Sequence, residues 1–353
     1  MSTRDTKPGC PQVPLLAADR ESSMRIGENS TLWINLNSVE NCWAKQSDNL
    51  FSAITKGVRL TELDYFVVDV FTEFALQGNP LAVVMNNAAL APEQMQAIAR
   101  EFNLSETTFV ERRPREVEQQ EGVRVRIFTT EEELPFAGHP TLGTAGVLRL
   151  KAPETVEQDT VTLALKVGAV RVRFDARGLF GEMTQPDPEF GPELDAGEVA
   201  RLTGLAVEDL DPDLTPQIVS TGTAFAIVAL KSHQGLANLN VNQQQATQWL
   251  RSRGARWFYV LGPTGGEVPA WRARMQFNGG EDPATGSAAG CAVSYLVHRA
   301  ALASGKRIHV RQGVEIGRPS DLYLCAKYES GKTTDVRVGG STVLVANGRL
   351  FLP

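Results

Sequence analysis

Cysteine and histidine are scarce in this 353-residue sequence, and none of them is spaced for metal binding or redox chemistry. The residues concerned are Cys10, Cys42, Cys291, Cys325, His139, His233, His298 and His309. Because they are far apart along the chain, we expect no metal site. The same scarcity favours reduced, structural thiols, which are typical of the cytoplasm.

Clusters of basic residues and long apolar runs are also missing. Lys and Arg are scattered, the net charge is −6 and the pI is about 5.5, which argues against a nucleic-acid partner. No apolar run is long enough to cross a membrane. The first residues contain no apolar core followed by a small-residue cleavage site, so we expect a cytoplasmic protein.

The composition, with 42% hydrophobic and 22% charged residues, is that of a soluble globular protein with room for two domains. Residues 1–62 show no steady periodicity, and we interpret them as an N-terminal extension of unknown role. We leave three interpretations of this segment open: a flexible tail, a docking segment, or translated sequence upstream of the native start. We assign residues 63–188 to a first half and 189–353 to a second, with the last strand, 336–353, packing on the first.

Strand-like and helix-like patterns are mixed from Leu63 onwards, which predicts an α+β fold. The predicted strands are 63–70, 81–85, 107–110, 123–128, 160–167, 169–175, 178–184, 257–261 and 271–277. One predicted helix begins at Pro92, and the others span 141–150, 196–205, 241–253 and 287–302. Residues 186–191 are interpreted as a linker. Each half then contains several strands and one long apolar helix.

One sequence element occurs twice. Glu-x-Pro-x-x-Gly spans Glu133–Gly138 and again Glu281–Gly286, each time after a strand and before a helix rich in small residues. Two copies of one fold would bring the two helix N-termini face to face across a cleft. Free N–H groups and helix dipoles at that place suit a small carboxylate. Two ordinary loops before helices would give the same pattern, so this alternative stays open.

Four side chains are candidates for chemistry. His139 lies at a helix start, where a neutral imidazole could pass a proton or simply cap the helix. Asp282 and Ser287 either bind a ligand or act as N-caps. Glu106, in a hydroxyl-rich segment beside a buried strand, is either a desolvated base with a raised pKa or an exposed glutamate at a sheet edge.

A longer set of motifs, in order from residue 63 to the C-terminus, resembles the phenazine-biosynthesis PhzF-like family. The matching segments are 69–72 (Asp-Val-Phe-Thr), 78–84 (Gly-Asn-Pro-Leu-Ala-Val-Val), 103–110, 128–145, 281–288 and 312–320. Together these motifs are highly specific. Residues 1–62 fall outside the resemblance.

The resemblance implies a diaminopimelate-epimerase-like fold with two pseudo-symmetric halves, each a curled mixed sheet or barrel around a central helix. It places the active site between the halves and implies a homodimer that works without cofactor or metal. The best characterised family activity isomerises trans-2,3-dihydro-3-hydroxyanthranilate by moving a proton between ring carbons. By position, the acid/base glutamate falls on Glu106, the active-site histidine and aspartate on His139 and Asp282, and the substrate-binding residues on Gly138, Gly286 and Ser287.

Rival functions stay open beside this one. Racemases of the same fold use two cysteines, one at each helix start, but His139 and Ser287 occupy those places here, which disfavours such chemistry. An epimerase of another amino-acid-like acid is a further alternative. So is a binding protein that kept the fold without the reaction, because fold alone does not determine function. The sequence indicates a small carboxylate as substrate and does not specify which one.

Overall fold

The computed structural model describes residues 22–25, 31–34, 60–86, 90–176, 180–265, 270–277 and 280–352. The chain divides into two units. In the first, β1 (Ser22–Arg25) pairs antiparallel with β2 (Thr31–Ile34). The second, Thr61–Phe351, holds the other described elements. Most of the extension predicted for residues 1–62, including Cys10 and Cys42, lies outside the described residues.

The second unit alternates strands with a few helices. Its strands are β3 (Thr61–Val70), β4 (Asn79–Met85), β5 (Thr107–Glu111), β6 (Val123–Phe128), β7 (Glu133–Leu134), β8 (Val156–Glu157), β9 (Thr160–Leu165), β10 (Gly168–Phe174), β11 (Phe180–Thr184), β12 (Glu189–Glu193), β13 (Gln217–Ser220), β14 (Ala224–Ala229), β15 (Trp257–Pro263), β16 (Ala270–Arg274), β17 (Gln276–Phe277), β18 (Gly280–Glu281), β19 (Ile308–Gln312), β20 (Ser320–Glu329) and β21 (Lys332–Leu352). Its helices are α1 (Pro92–Phe102), α2 (Arg115–Glu121), α3 (Gly138–Lys151), α4 (Ala196–Thr203), α5 (Gln243–Arg251) and α6 (Gly286–His298).

The sheet of the first half closes into a ring around α3. Hydrogen bonding connects β21, β3, β4, β5, β6, β9, β10 and β11 in that order, and β11 pairs with β21 to close the ring. α3 packs against β3, β4, β9 and β11. A Cβ atom on Gly143 would lie 2.7 Å from side-chain atoms of Leu81 and Val70, so the sheet lies directly on the helix backbone.

Strands of the second half pack against α6. α6 packs against β13, β14 and β20, and every residue from Gly286 to Val297 is buried. A helix enclosed on all sides needs apolar or small residues all round, which this one has. The pairing of β3–β4, β4–β5 and β5–β6 is antiparallel, parallel and antiparallel. The pairs β13–β14, β14–β15 and β15–β16 follow the same order.

The predicted α+β class, with central helices inside curled sheets, is confirmed. The two-fold relation of the halves and the division at residue 188 stay predictions. β21 pairs with β20 and with β11, so the last strand contacts strands assigned to both halves. None of the described helices is long and apolar enough to span a bilayer.

Two local predictions were wrong, and one helix was missed. The linker proposed for residues 186–191 runs into β12, which begins at Glu189 and pairs with β13. α3 begins at Gly138 instead of Thr141, so His139 lies in its first turn. α2 was not predicted, because none of its residues is buried and it therefore has no apolar stripe to reveal it.

Candidate active site

α3 and α6 begin in direct contact with each other. A Cβ atom on Gly138 would lie 2.5 Å from the backbone nitrogen of Ser287 and 2.6 Å from the carbonyl carbon of Gly286. Only glycine at position 138 therefore lets the two helix starts come this close. The N-termini touch, whereas the sequence predicted a cleft between them, and a cavity opens beside them. Binding of substrate by Gly138 and Gly286 stays a prediction, while their packing role is evident.

The repeated glutamates anchor the loops that precede these helices. Glu133 forms a two-point salt bridge with Arg126, seven residues earlier, with two contacts of 2.8 Å. Glu281 pairs in the same way with Arg274, also seven residues earlier, at 3.0 and 2.6 Å. Each arginine lies on the strand before the loop. The duplicated motif thus fixes the loop to its neighbouring strand, and Glu281 is committed to this pair.

Glu106 is the residue immediately before β5. Asn103 follows α1 as its C-cap, and its left-handed backbone (φ 51°) turns the chain back toward the sheet. The side chain of Glu106 is 15% exposed, and its Oε2 atom lies 3.5 Å from Nε2 of His139. Both atoms are shielded from solvent and have no hydrogen-bond partner among the described residues. The alternative of an exposed sheet-edge glutamate is therefore wrong.

The side-chain amide of Asn79 determines the tautomer of His139. Its Nδ1 atom lies 3.2 Å from Nδ2 of Asn79. That amide must present its nitrogen here, because Nδ2 also lies 2.8 Å from the carbonyl oxygen of Ala284, which would repel an amide oxygen. The neutral ring therefore carries its hydrogen on Nε2, toward Glu106. Burial lowers the pKa of His139 to about 3, so the contact with Glu106 is not an ion pair.

Asn79 connects the two sides of the site. Its Nδ2 donates to Oδ1 of Asp282 at 2.7 Å, and its Oδ1 accepts from the hydroxyl of Ser105 at 3.2 Å. Asp282 is buried, and its Oδ2 accepts from the hydroxyl of Thr285 at 2.6 Å. Asn79 was not singled out from the sequence, because Gly-Asn-Pro is typical of a turn. Gly78 makes that turn, with φ 67°, and Asn79 begins β4.

Glu106 and Asp282 are two acids in one buried region. Burial and the negative charge of Asp282 raise the pKa of Glu106 to about 8. Burial raises the pKa of Asp282 to about 7, against the hydrogen bonds from Thr285 and Asn79 that favour its ionised form. Two neighbouring carboxyl groups do not both ionise readily, so near neutral pH the pair carries about one negative charge and one proton.

The cavity beside the helix starts has a volume of about 430 Å³. Glu106, Asp282 and Ser287 line it, and His139 contacts Glu106. Aromatic and apolar side chains from both halves form much of the remaining wall: Phe136, Phe225, Trp257, Met275 and Phe277. No local pattern indicated these residues, because they come together only when distant strands assemble. The cavity suits a molecule with a ring or other apolar part and polar groups at one end.

The burial of Glu106 can be tested through protein stability. Its pKa rises from 4.5 to about 8 on folding, so stability is fully present below about pH 4.5 and is lost as the pH rises through about 8. We expect Glu106→Gln to be more stable than wild type at about pH 9, by on the order of a few kcal/mol, and equally stable near pH 4.5. Thermal unfolding at both pH values checks this. The same stability difference at both would contradict a buried, protonated Glu106.

Comparison with known proteins shows the class to which this fold and site belong. Residues 68–348 match the family described as phenazine biosynthesis-like proteins, and the chain belongs to this family. The trans-2,3-dihydro-3-hydroxyanthranilate isomerase of Pseudomonas aeruginosa is 35% identical over 295 residues, which cover 82% of this chain and 99% of the relative.

Solved structures show the same relationship. A "predicted epimerase" from Pseudomonas aeruginosa has 35% identity and a TM-score of 0.68, covering 81% of this chain and 98% of its own. A PhzF-family phenazine biosynthesis protein from Bacillus anthracis has 25% identity and a TM-score of 0.71, covering 82% and 99%. The family predicted from the motifs is confirmed, and the protein is an isomerase in the broad sense that includes epimerases.

Proposed function

We propose that the protein is a cofactor-independent isomerase that moves a proton between two carbon atoms of a small cyclic carboxylate, with Glu106 as the proton carrier. The observation that supports this most is the state of Glu106. Its carboxyl group lines the cavity, one oxygen has no hydrogen-bond partner among the described residues, and its pKa is raised to about 8. A group that titrates near the working pH can give a proton to one carbon and take one back from another.

His139 supports the change of charge on Glu106 in this mechanism. When Glu106 gives its proton to the substrate, the new carboxylate can accept a hydrogen bond from Nε2 of His139, which already lies 3.5 Å away. The imidazole of the free protein is neutral, because burial lowers its pKa to about 3. His139 therefore acts as a hydrogen-bond donor and does not take up the proton itself.

Asp282 and Ser287 bind the substrate in the same proposal. The Asp282 carboxylate accepts a hydrogen bond from an amino or hydroxyl group, while the Ser287 hydroxyl and the free N–H groups at the start of α6 donate to the substrate carboxylate. The apolar wall packs on the ring. The substrate named for the Pseudomonas relative offers all of these groups. As the family resemblance implies, we expect the active protein to be a homodimer.

Incubation with trans-2,3-dihydro-3-hydroxyanthranilate in D2O tests this function. We expect an isomerised product that carries deuterium at the carbon that receives the proton, seen by NMR and mass spectrometry. Prior treatment with iodoacetamide should not change the rate, because no thiol takes part. Heat-inactivated protein gives the uncatalysed background. A rate equal to that background would contradict the proposed substrate.

An epimerase of an amino-acid-like acid is the second candidate, favoured by the second carboxyl group, Asp282, in the same cavity. It would exchange and invert the α-proton of a chiral acid without moving a double bond. A two-thiol racemase is not supported. Cys291 is buried within α6 beside Thr221, at 3.5 Å, and burial raises the pKa of its thiol to about 11. A binding protein without activity would gain thermal stability from carboxylates and exchange no protons.

A further inference from the structure

A buried glutamine on β19, Gln312, contacts the loop that carries Asp282. Its exposed fraction is 0%. Its Oε1 accepts from the backbone N–H of Thr285 at 3.1 Å and from the hydroxyl of Tyr259 at 3.2 Å. Its Nε2 donates to the carbonyl oxygen of Asp282 at 2.9 Å and to the hydroxyl oxygen of Thr285 at 3.0 Å. The whole hydrogen-bonding capacity of this amide is used inside the protein.

Two backbone groups fix the orientation of the Gln312 amide. In the flipped orientation, Nε2 would meet the N–H of Thr285 and Oε1 would meet the carbonyl of Asp282, and both contacts would be repulsive. Nε2 therefore donates to the Thr285 hydroxyl oxygen. The single hydrogen of that hydroxyl is then directed to Oδ2 of Asp282, 2.6 Å away. The hydrogen bonds run in one direction, from Gln312 through Thr285 to Asp282.

The other oxygen of Asp282 also accepts a hydrogen bond. Oδ1 receives the amide N–H of Asn79 at 2.7 Å, and the orientation of that amide is fixed by the carbonyl of Ala284. Donors on both oxygens, one of them at 2.6 Å, are the surroundings of an ionised carboxylate. Glu106 differs, because its buried Oε2 has no hydrogen-bond partner among the described residues.

We propose that Gln312 is a positioning residue that keeps the negative charge of the site on Asp282 and the proton on Glu106. It acts through Thr285, whose hydroxyl it orients toward Asp282. Glu106 is then protonated and ready to act as an acid when the substrate binds. The inference depends on the proposed function only for the roles of Glu106 and Asp282.

Among the other titratable groups around Asp282, the adjacent Glu281 acts against this arrangement, because its negative charge raises the pKa of Asp282. Glu106, from the loop before β5, is the acid that competes for the proton. His139 of α3 is neutral, because burial lowers its pKa. Tyr259 of β15 is neutral as well, because burial and the charge of Asp282 raise its pKa. The adjacent Glu281 is paired with an arginine of β16 at 2.6 Å.

A titration of the free protein tests the proposal, so no substrate is needed. NMR of protein labelled with ¹³C at the Asp and Glu carboxyl carbons would follow both acids, assigned from the resonances lost in Asp282→Asn and Glu106→Gln. In Gln312→Met, we expect the Asp282 midpoint to rise by about one pH unit or more and the Glu106 midpoint to fall. The reason is that the Thr285 hydroxyl loses its fixed direction, which weakens its bond to the Asp282 carboxylate.

Variants at Thr285 separate this path from a general packing effect. Thr285→Val should shift the two midpoints as Gln312→Met does, and the double variant should shift them no further than Thr285→Val alone. Thr285→Ser keeps the hydroxyl and should restore the wild-type midpoints. If Gln312→Met does not fold, the comparison of Thr285→Val with Thr285→Ser tests the proposal. Equal midpoints in these two variants would overturn it.

Gln185 provides the matched control. It is also buried, at 3% exposed, and its amide donates to the carbonyl of Gly286 at 2.9 Å and accepts from Thr221 at 2.7 Å. Gln185→Met should keep the wild-type midpoints. Unchanged midpoints in Gln312→Met, or an equal shift in Gln185→Met, would overturn the proposal. If the midpoints shift in Gln312→Met while the wild-type protein shows no turnover, the result would support this inference and contradict the proposed function instead.

Discussion

Glu106→Gln is expected to lower the rate of proton transfer by about 10²–10⁴-fold while changing the KM little. Glutamine keeps the size and shape of the side chain, and its contact with His139 can persist, but it neither binds nor releases a proton at any working pH. Asp282 and Ser287, which we propose bind the substrate, are unchanged. Product formation and deuterium incorporation, measured with kcat and KM separated, provide the check.

Glu111→Gln is the matched control for this experiment. Glu111 ends β5, the strand that Glu106 precedes, and it pairs with Arg124 at 2.9 Å near the surface. Losing such a pair costs at most about 1 kcal/mol and should leave the rate as in wild type. The higher stability expected for Glu106→Gln at high pH shows independently that this variant is folded. A folded Glu106→Gln protein with wild-type turnover would remove Glu106 from the mechanism.

The family resemblance predicted Glu106, His139, Asp282 and Ser287 as site residues, and the structure brings them together beside one cavity, while their roles stay predictions. The motifs that carry this resemblance did not show whether these side chains are buried or exposed. An isolated Ser-Glu-Thr-Thr segment fits an exposed sheet edge as well as a buried acid. Packing decided between them, since α3 lies inside the sheet and brings His139 within 3.5 Å of Glu106. Burial of this kind depends on the whole barrel, and no local pattern contains it.

Asn79 and Gln312 were missed for a related reason. Asn79 bonds to Asp282 and Ala284, which lie 203 and 205 residues further along the chain. Gln312 was noted only as part of a motif, and its contacts with Asp282 and Thr285 lie 30 and 27 residues away. A buried amide has no periodic signature in a sequence. The repeated Glu-x-Pro-x-x-Gly element, in contrast, was recognisable in the sequence. The structure explains its glutamates by salt bridges and not by catalysis.

Gly138→Ala is expected to lower activity by about 100-fold or more and the free energy of unfolding by about 1–3 kcal/mol. The new methyl group would lie 2.5 Å from the nitrogen of Ser287 and 2.6 Å from the carbon of Gly286, and backbone atoms cannot rotate away. The steric clash can then be relieved only if α3 moves away from α6. That movement separates Glu106 and His139 from Asp282 and Ser287. Initial rates and thermal unfolding measure both effects.

Two other glycines turn this into a graded test. Gly146→Ala, in the same helix, places a methyl 3.2 Å from the side chain of Thr342, which can adjust, and the helix gains propensity of up to about 1 kcal/mol. Gly286→Ala is intermediate, because its methyl would lie 3.0 Å from the ring of Phe71 and 3.3 Å from Gly138. We therefore expect activity to fall in the order Gly146→Ala, Gly286→Ala, Gly138→Ala. The substitutions Gly138→Ala and Gly146→Ala differ mainly in whether backbone or side-chain atoms must move. If the two variants were equally active, the contact between the helix starts would not be what assembles the site.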